Sequence, residues 1–150
     1  MILSAYTDGA SRGNPGHAGI GFLFKKFDGT ILHSENRYIG KTTNNIAEYT
    51  ALKECLLWII GKINDDASFR CQEIVLHADS ELMVRQMNRV YKVKDHDLKK
   101  HFTTIQGLLA KAPFRLKCVH IPREENSEAD ELANAAIDHH LSSAGNRMVV

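Results

Sequence analysis

The sequence predicts an α/β protein, a five-stranded mixed sheet whose first three strands are antiparallel and whose faces are flanked by helices. Three observations predict it. Three strand-like runs come first, separated by Gly-, Asn- and Asp-containing turns. Helical-period stretches then alternate with two short apolar runs, the arrangement that feeds crossover connections. The 150 residues, 43% hydrophobic and 25% charged, suit one domain that buries about two-thirds of its unfolded surface.

Ile2 to Thr7 is a mostly apolar run that stops at Asp8-Gly9, a strand ending in a turn that continues through Gly13-Asn14-Pro15-Gly16. Ala18 to Lys26 and Thr30 to Ile39 are two more strands around the hairpin signal Asp28-Gly29. A helix follows from about Asn45 to Gly61, because Leu52, Leu56, Ile59 and Ile60 recur at helical spacing and Gly61 is a stop signal. Glu73 to Ala78 is a strand, and its Ile74-Val75-Leu76 run suits a central position buried on both sides. Ser80 to Arg89 and Leu98 to Ala110 read as helices. Pro113 breaks the chain before the strand Phe114 to Ile121. Pro122 to Ser127 is a charged loop, and a last helix runs from Ser127 to about Leu141. Residues 1–141 are the domain, and 142–150 a loosely held C-terminal tail.

Cys55, Cys71 and Cys118 are odd in number and widely spaced, which suits reduced core residues rather than a disulfide framework or a zinc site. The opening Met-Ile-Leu-Ser has no charged segment followed by an apolar one, and the longest apolar stretch, Leu56 to Ile60, is far too short to span a bilayer. The expectation is a soluble, cytoplasmic monomer without a membrane partner. The net charge of +1 hides an uneven distribution. Residues 85–117 carry nine basic and two acidic groups, a net of +7, while residues 118–150 carry two basic and six acidic, a net of −4. Such a basic middle is either a solvated helix face or a surface for phosphates.

Four carboxylates, Asp8, Glu48, Asp79 and Asp130, stand where a regular element starts or stops. Each has a local structural reading. Asp8-Gly9 is a common turn pair, Asp79 can cap the following helix, and Glu48 and Asp130 lie three residues after Asn45 and Ser127, the spacing of a capping box. Against this, Glu48 shares a helix face with Leu52, Cys55 and Ile59, and Asp130 with Ala133, Ile137 and Leu141. A carboxylate on an apolar face is costly unless paired. If the strands before Asp8 and Asp79 are parallel neighbours, both acids emerge at one sheet edge, where open α/β sheets place ligands. Four crowded carboxylates need cations to stay ionised, and all-oxygen ligation selects Mg²⁺ or Mn²⁺ over zinc. Two such ions could serve a phosphodiester displacement.

The strings Tyr6-Thr7-Asp8-Gly9-Ala10 with Gly13-Asn14-Pro15-Gly16, Thr43-Asn44-Asn45-Ile46-Ala47-Glu48, Ala78-Asp79-Ser80 and Asn126-Ser127-Glu128-Ala129-Asp130-Glu131-Leu132 together resemble ribonuclease H of the type-1 class. The resemblance covers roughly residues 2–140, in order and at fitting intervals. It implies a ribonuclease-H-like fold in which Asp8, Glu48, Asp79 and Asp130 bind two Mg²⁺ or Mn²⁺ ions. It also implies hydrolysis of the RNA strand of an RNA/DNA hybrid duplex, leaving 3′-hydroxyl and 5′-phosphate ends. Gly9, Asn14, Asn44, Asn45 and Ser80 match positions that contact the hybrid or flank the site. A related nuclease acting on double-stranded RNA or branched DNA, and a non-catalytic hybrid-binding module, are the alternatives.

The chain departs from that pattern twice. Many type-1 enzymes carry a loop histidine that helps protons or product leave, and here the aligned position is Glu124, with His120 ending a strand. Longer members insert a basic handle helix where this chain has only Val90 to Asp97, so it resembles the handle-less subgroup, with Lys92, Lys94, Lys99 and Lys100 carrying part of that charge. Trp58 and Phe102 sit in apolar helical settings and read as core residues rather than base-stacking platforms.

Overall fold

A computed structural model describes residues 1–148, with side chains placed through residue 143. Its elements are β1 (Ile2–Gly13), β2 (Gly16–Lys25), β3 (Ile31–Thr42), α1 (Asn44–Asp65), β4 (Glu73–Ala78), α2 (Glu81–Met87), α3 (His96–Lys111), β5 (Arg115–His120), a 3₁₀ turn (Arg123–Glu125) and α4 (Ser127–Met148). The sheet order is β3-β2-β1-β4-β5. β1, β2 and β3 pair antiparallel, and β4 pairs parallel to both β1 and β5. This is the expected mixed sheet with its antiparallel meander first.

β2 is buried on both faces and explains the two-layer packing. Phe22 and Phe24 face the α1 side and join Leu3, Leu52, Leu56, Ile59, Leu76 and Ile105 in the main core. The alternate positions Gly19 and Gly21 face α4. A Cβ on Gly19 would lie 2.5 Å from the Ala133 carbonyl oxygen, and one on Gly21 2.6 Å from that of Ala129. The final helix therefore rests on strand backbone, and its small residues Ala129, Ala133 and Ala136 are buried there.

Several boundaries differ from expectation for physical reasons. β1 does not stop at Asp8. Its parallel pairing with β4 ends at Thr7 opposite Ala78, but its antiparallel ladder with β2 continues to Gly13 opposite Gly16. Asp8 is thus a mid-strand residue, and the chain reverses at Asn14-Pro15. α1 passes through Gly61 to Asp65, since Ile63, one turn beyond Ile59, still packs on the core. That burial outweighs the roughly 1 kcal/mol a helical glycine costs. α4 continues past Leu141 to Met148, so the position expected to begin a tail lies inside a helix, and Val149 and Val150 fall outside the described residues. Trp58 and Phe102 both pack against the core, as expected. α2 ends earlier than expected, at Met87, and Arg89 behind it has φ +61°, a left-handed conformation that costs a non-glycine residue about 1–2 kcal/mol.

The glycine seat predicts that Gly21→Val forces α4 off β2. We expect a loss of about 1–3 kcal/mol, the usual range for overpacking, read as a lower urea midpoint at unchanged slope. An unaltered midpoint would show that α4 does not depend on this close approach.

Candidate active site

The site forms where β1 and β4 part. Asp8 and Asp79 each follow the last parallel pair, Thr7 opposite Ala78, so both acids leave the same sheet edge. Glu48 comes from the first turns of α1. That helix lies directly on β1, because a Cβ on Gly9 would be 2.2 Å from the Ala47 carbonyl carbon and 2.4 Å from the Glu48 nitrogen. The Gly9 N–H donates to Glu48 Oε1 at 2.8 Å. Carboxylate oxygens of Asp8, Glu48 and Asp79 all lie within 4.8 Å of one another.

Asp130 projects from the first turn of α4 into the same cavity, of about 450 Å³. Asn134 Nδ2 donates to its Oδ1 at 3.2 Å, and Arg123 Nη2 stands 3.7 Å from that oxygen. Gly9, Asn44, Asn45 and Ser80 line this cavity too. Asn14 does not. Its Oδ1 accepts the Asn44 N–H at 3.1 Å, tying the β1–β2 turn to the start of α1.

The local readings of the acids give way to other residues. Thr43 caps α1, its side chain accepting the Ile46 N–H, so Glu48 is not in a capping box. Ser80, not Asp79, caps α2 by accepting the Met83 N–H at 3.2 Å. Asp79 is left with its carboxylate free to face Asp8 and Glu48.

Burial and repulsion hold protons on the site. Asp8 and Glu48 are only 5% and 7% exposed. Burial pushes the Asp8 carboxyl far above the ordinary carboxylate range, and the charges of Glu48 and Asp79 push it further. Burial also raises Glu48, with Asp79 and Asp130 adding to the rise, while hydrogen bonds from Asp8 and Gly9 oppose it. Glu48 Oε2 is buried without a hydrogen-bond partner. An orphaned carboxylate oxygen beside two more carboxylates is a hard, all-oxygen donor set, and it fits a divalent cation of the Mg²⁺ or Mn²⁺ kind. Such a cation would repay the desolvation that otherwise raises these pKa values.

Asn134 and Arg123 also line the cavity, and Asn126 braces it from the β1 side. Asn134 is four residues from Asp130, one helical turn on, and that spacing was the available signal. Asn126 is 1% exposed and donates from Nδ2 to the Thr7 carbonyl at 2.9 Å, anchoring the start of α4 to β1 just before Asp8. Arg123 lines the cavity and Glu124 does not, so the loop before α4 turns a cation toward the acids.

Comparison with known proteins agrees with this geometry. The profile of the family described as RNase H matches residues 2–138. "Ribonuclease HI" of Halobacterium salinarum is 38% identical over 136 residues, covering 91% of this chain and 64% of that protein. "Bifunctional protein Rv2228c" of Mycobacterium tuberculosis is 38% identical over 145 residues, 96% of this chain and 38% of its own length. The chain thus spans under two-thirds of these relatives. Among solved structures, LC11-RNase H1 in complex with RNA/DNA hybrid superposes with a TM-score of 0.86 at 45% identity, covering 93% of this chain and 99% of that one.

Two expectations follow. Because the folded values of Asp8 and Glu48 lie above those of the unfolded chain, the folded protein binds more protons. In EDTA the contribution of this pair to stability should be fully present below the unfolded carboxylate range, near pH 4, and be lost as pH rises through neutrality, so that Asp8→Asn/Glu48→Gln flattens the profile there. Mg²⁺ at a hundred times its Kd should restore about 2.7 kcal/mol, with little effect at pH 4; equal effects at both pH values would contradict the site. Second, Asp8→Asn replaces a carboxyl that must take up a proton on folding by a neutral amide, so at neutral pH without metal it should melt higher than the wild type, by about 2–4 °C per kcal/mol relieved. A lower melting point would mean that Asp8 stabilises the fold in its own right.

Proposed function

The chain belongs to the RNase H family, and from that premise we propose that it is a metal-dependent endonuclease hydrolysing the RNA strand of RNA/DNA hybrids, leaving 3′-hydroxyl and 5′-phosphate ends. The observation that carries the reading is the meeting of Asp8, Glu48 and Asp79 within 4.8 Å at the edge of the parallel strands, beside Asp130. In this reading the four carboxylates hold two Mg²⁺ or Mn²⁺ ions. When bound, such ions lower the pKa of an attacking water and neutralise the charge that develops on the leaving oxygen.

The chain's own residues supply position. Asp8 is the central ligand because it stands on a strand paired on one side and faces the carboxylates of α1 and β4 from there. Glu48 is fixed by the Gly9 N–H and Asp130 by Asn134, so neither needs to reorganise to accept a cation. Asn44 and Asn45, at the start of α1, offer side-chain amides to the shallow minor groove of an A-like duplex, where 2′-hydroxyls distinguish RNA from DNA. Asn14 supports them by holding the Asn44 backbone. Contacts of this kind read backbone and shape, so base preference is weak. Arg123, 80% exposed at the mouth of the cavity, is placed to meet a phosphate entering or leaving. In this reading the protein acts as a cytoplasmic monomer; among the described residues no helix is long and apolar enough to cross a membrane.

The test is cleavage of a labelled hybrid with and without EDTA, beside Asp8→Asn. Loss of an outer-shell partner already costs 10–100-fold at metal sites, so Asp8→Asn should lose more than about 100-fold while still binding hybrid. Wild-type rates in that variant would remove Asp8 from the chemistry. A panel of hybrid, double-stranded RNA and branched DNA decides the substrate, and cutting of either of the latter without cutting of hybrid would replace the proposal. Binding of hybrid without any cleavage in Mg²⁺ or Mn²⁺ would favour a binding module instead.

A further inference from the structure

Asp8, Glu48 and Asp79 meet within 4.8 Å, and Asp130 stands outside that group. It reaches the cavity from α4, so the strands that place Asp8 and Asp79 do not set its carboxylate. We propose that Arg12 is a positioning residue for Asp130: acting through Asn134, it presets the Asp130 carboxylate for the cation that the site takes up. The assignment rests on the metal-site reading of the preceding section.

Three observations point to it. First, Asp130, Asn134 and Asp138 recur every four residues and so stand one above another on a single face of α4. Arg12, near the end of β1, lies across that stripe. Its Nη1 donates to Asp138 Oδ1 at 2.5 Å, and its Nη2 to Asn134 Oδ1 at 3.2 Å and to the Asn134 carbonyl at 3.4 Å. Asn134 Nδ2 donates in turn to Asp130 Oδ1 at 3.2 Å and to the Asp130 carbonyl at 3.0 Å. An unbroken chain of donors thus runs from β1 to the fourth acid.

Second, that chain has only one polarity. A guanidinium donates and never accepts, so the Asn134 amide must turn its oxygen to Arg12, and its NH₂ then faces Asp130. Without the arginine the amide is free to flip and set its oxygen against the Asp130 carboxylate, where two acceptors repel. The charge behind the amide also strengthens its donation, because hydrogen bonds in series polarise one another.

Third, Arg12 is placed to act on Asp130 and not on the other acids. Asp8, Ala10 and Arg12 alternate along β1 and share one sheet face, which puts Arg12 about 13 Å of strand beyond Asp8. Arg12 therefore lines the cavity without neutralising Asp8. Asn134 Nδ2 and Arg123, at 3.7 Å, both address Asp130 Oδ1, which leaves Oδ2 for a cation. A mere staple of α4 onto β1 accounts for Arg12 less well. The side chains of Arg12 and Asp138 are 38% and 66% exposed, and so open an ion pair adds little to stability.

The experiment titrates wild type, Arg12→Ala, Arg12→Lys, Asn134→Ala and the double variant Arg12→Ala/Asn134→Ala with Mn²⁺ by calorimetry in the absence of nucleic acid. It also follows the Asn134 side-chain amide resonances of the metal-free protein and the cleavage of hybrid. Asn134→Ala should weaken Mn²⁺ binding about 10–100-fold, the usual worth of a partner just outside the ligands. Arg12→Ala should weaken it about tenfold, and kcat at limiting Mn²⁺ should fall with it while KM for hybrid stays within about twofold. Because the two residues act in series, Arg12→Ala should add less than about twofold in the Asn134→Ala background. Arg12→Ala should also shift the Asn134 amide protons, and Arg12→Lys should recover part of both changes. Unchanged Mn²⁺ affinity in Arg12→Ala would overturn the proposal, and so would losses that simply multiply in the double variant. A raised KM with a salt slope lower by about one would also overturn it, making Arg12 a phosphate contact. The calorimetry needs no turnover. Wild type that takes up Mn²⁺ but never cuts hybrid would sink the cleavage reading and leave Arg12 to the binding result. Normal cutting with Mn²⁺ affinity unmoved in Arg12→Ala would sink the role of Arg12 alone.

Discussion

The contact between Gly9 and the first turn of α1 is the constraint on which the rest depends. Only a residue without a side chain lets the Ala47–Glu48 backbone lie against β1, and the same residue's N–H holds Glu48 Oε1. The approach sets the height of α1 over the sheet. It thereby places Glu48 beside Asp8, puts Asn44 and Asn45 on the rim, and seats Tyr49 where it reaches Gln86. A single missing Cβ thus links the acid cluster to the asparagine rim and, through Gln86, to the loop beyond α2.

The fold accepts an internal conflict at this point. Buried, mutually repelling carboxylates weaken the folded state, and the protein gathers them at the one edge where β1 keeps a neighbour on one side only. Stability comes from elsewhere: from the aromatic and aliphatic layer under α1 and α3, and from α4 seated on bare strand backbone at Gly19 and Gly21. Asn126 stitches the two regions together by bonding Thr7, the residue before Asp8. Rigidity is supplied by packing, and charge density is tolerated because packing holds it in place.

The sequence was legible where one physical signal dominated. β4 matched its expected ends, Glu73 and Ala78, because an apolar run between polar neighbours leaves no other choice. The mixed sheet with its antiparallel meander first was readable from element order, and the four acids stood out by their places at element ends and by the family motifs around them. What was not readable depended on partners distant in sequence. Asp8 looked like a turn residue because Asp-Gly is a common turn pair, yet the ladder to β2 keeps the chain in a strand as far as Gly13. Gly61 looked like a helix end because nothing local reveals that Ile63 has a core to enter. Thr43 and Ser80 took the caps that nearby acids could equally have taken. The left-handed residue behind α2 is Arg89 rather than the neighbouring Asn88, which local chemistry would have favoured there.

The seating of α4 has a consequence for how the protein comes into being. Asp8, Glu48 and Asp79 all lie well before the last helix, whereas Asp130 arrives on that helix, after all five strands. During vectorial synthesis, the β2 face that bears Gly19 and Gly21 stays uncovered until that helix has left the ribosome. The fourth acid is therefore delivered by the same event that closes the second hydrophobic layer. A nascent chain, which emerges among RNA, cannot complete its acid quartet before it has completed its fold.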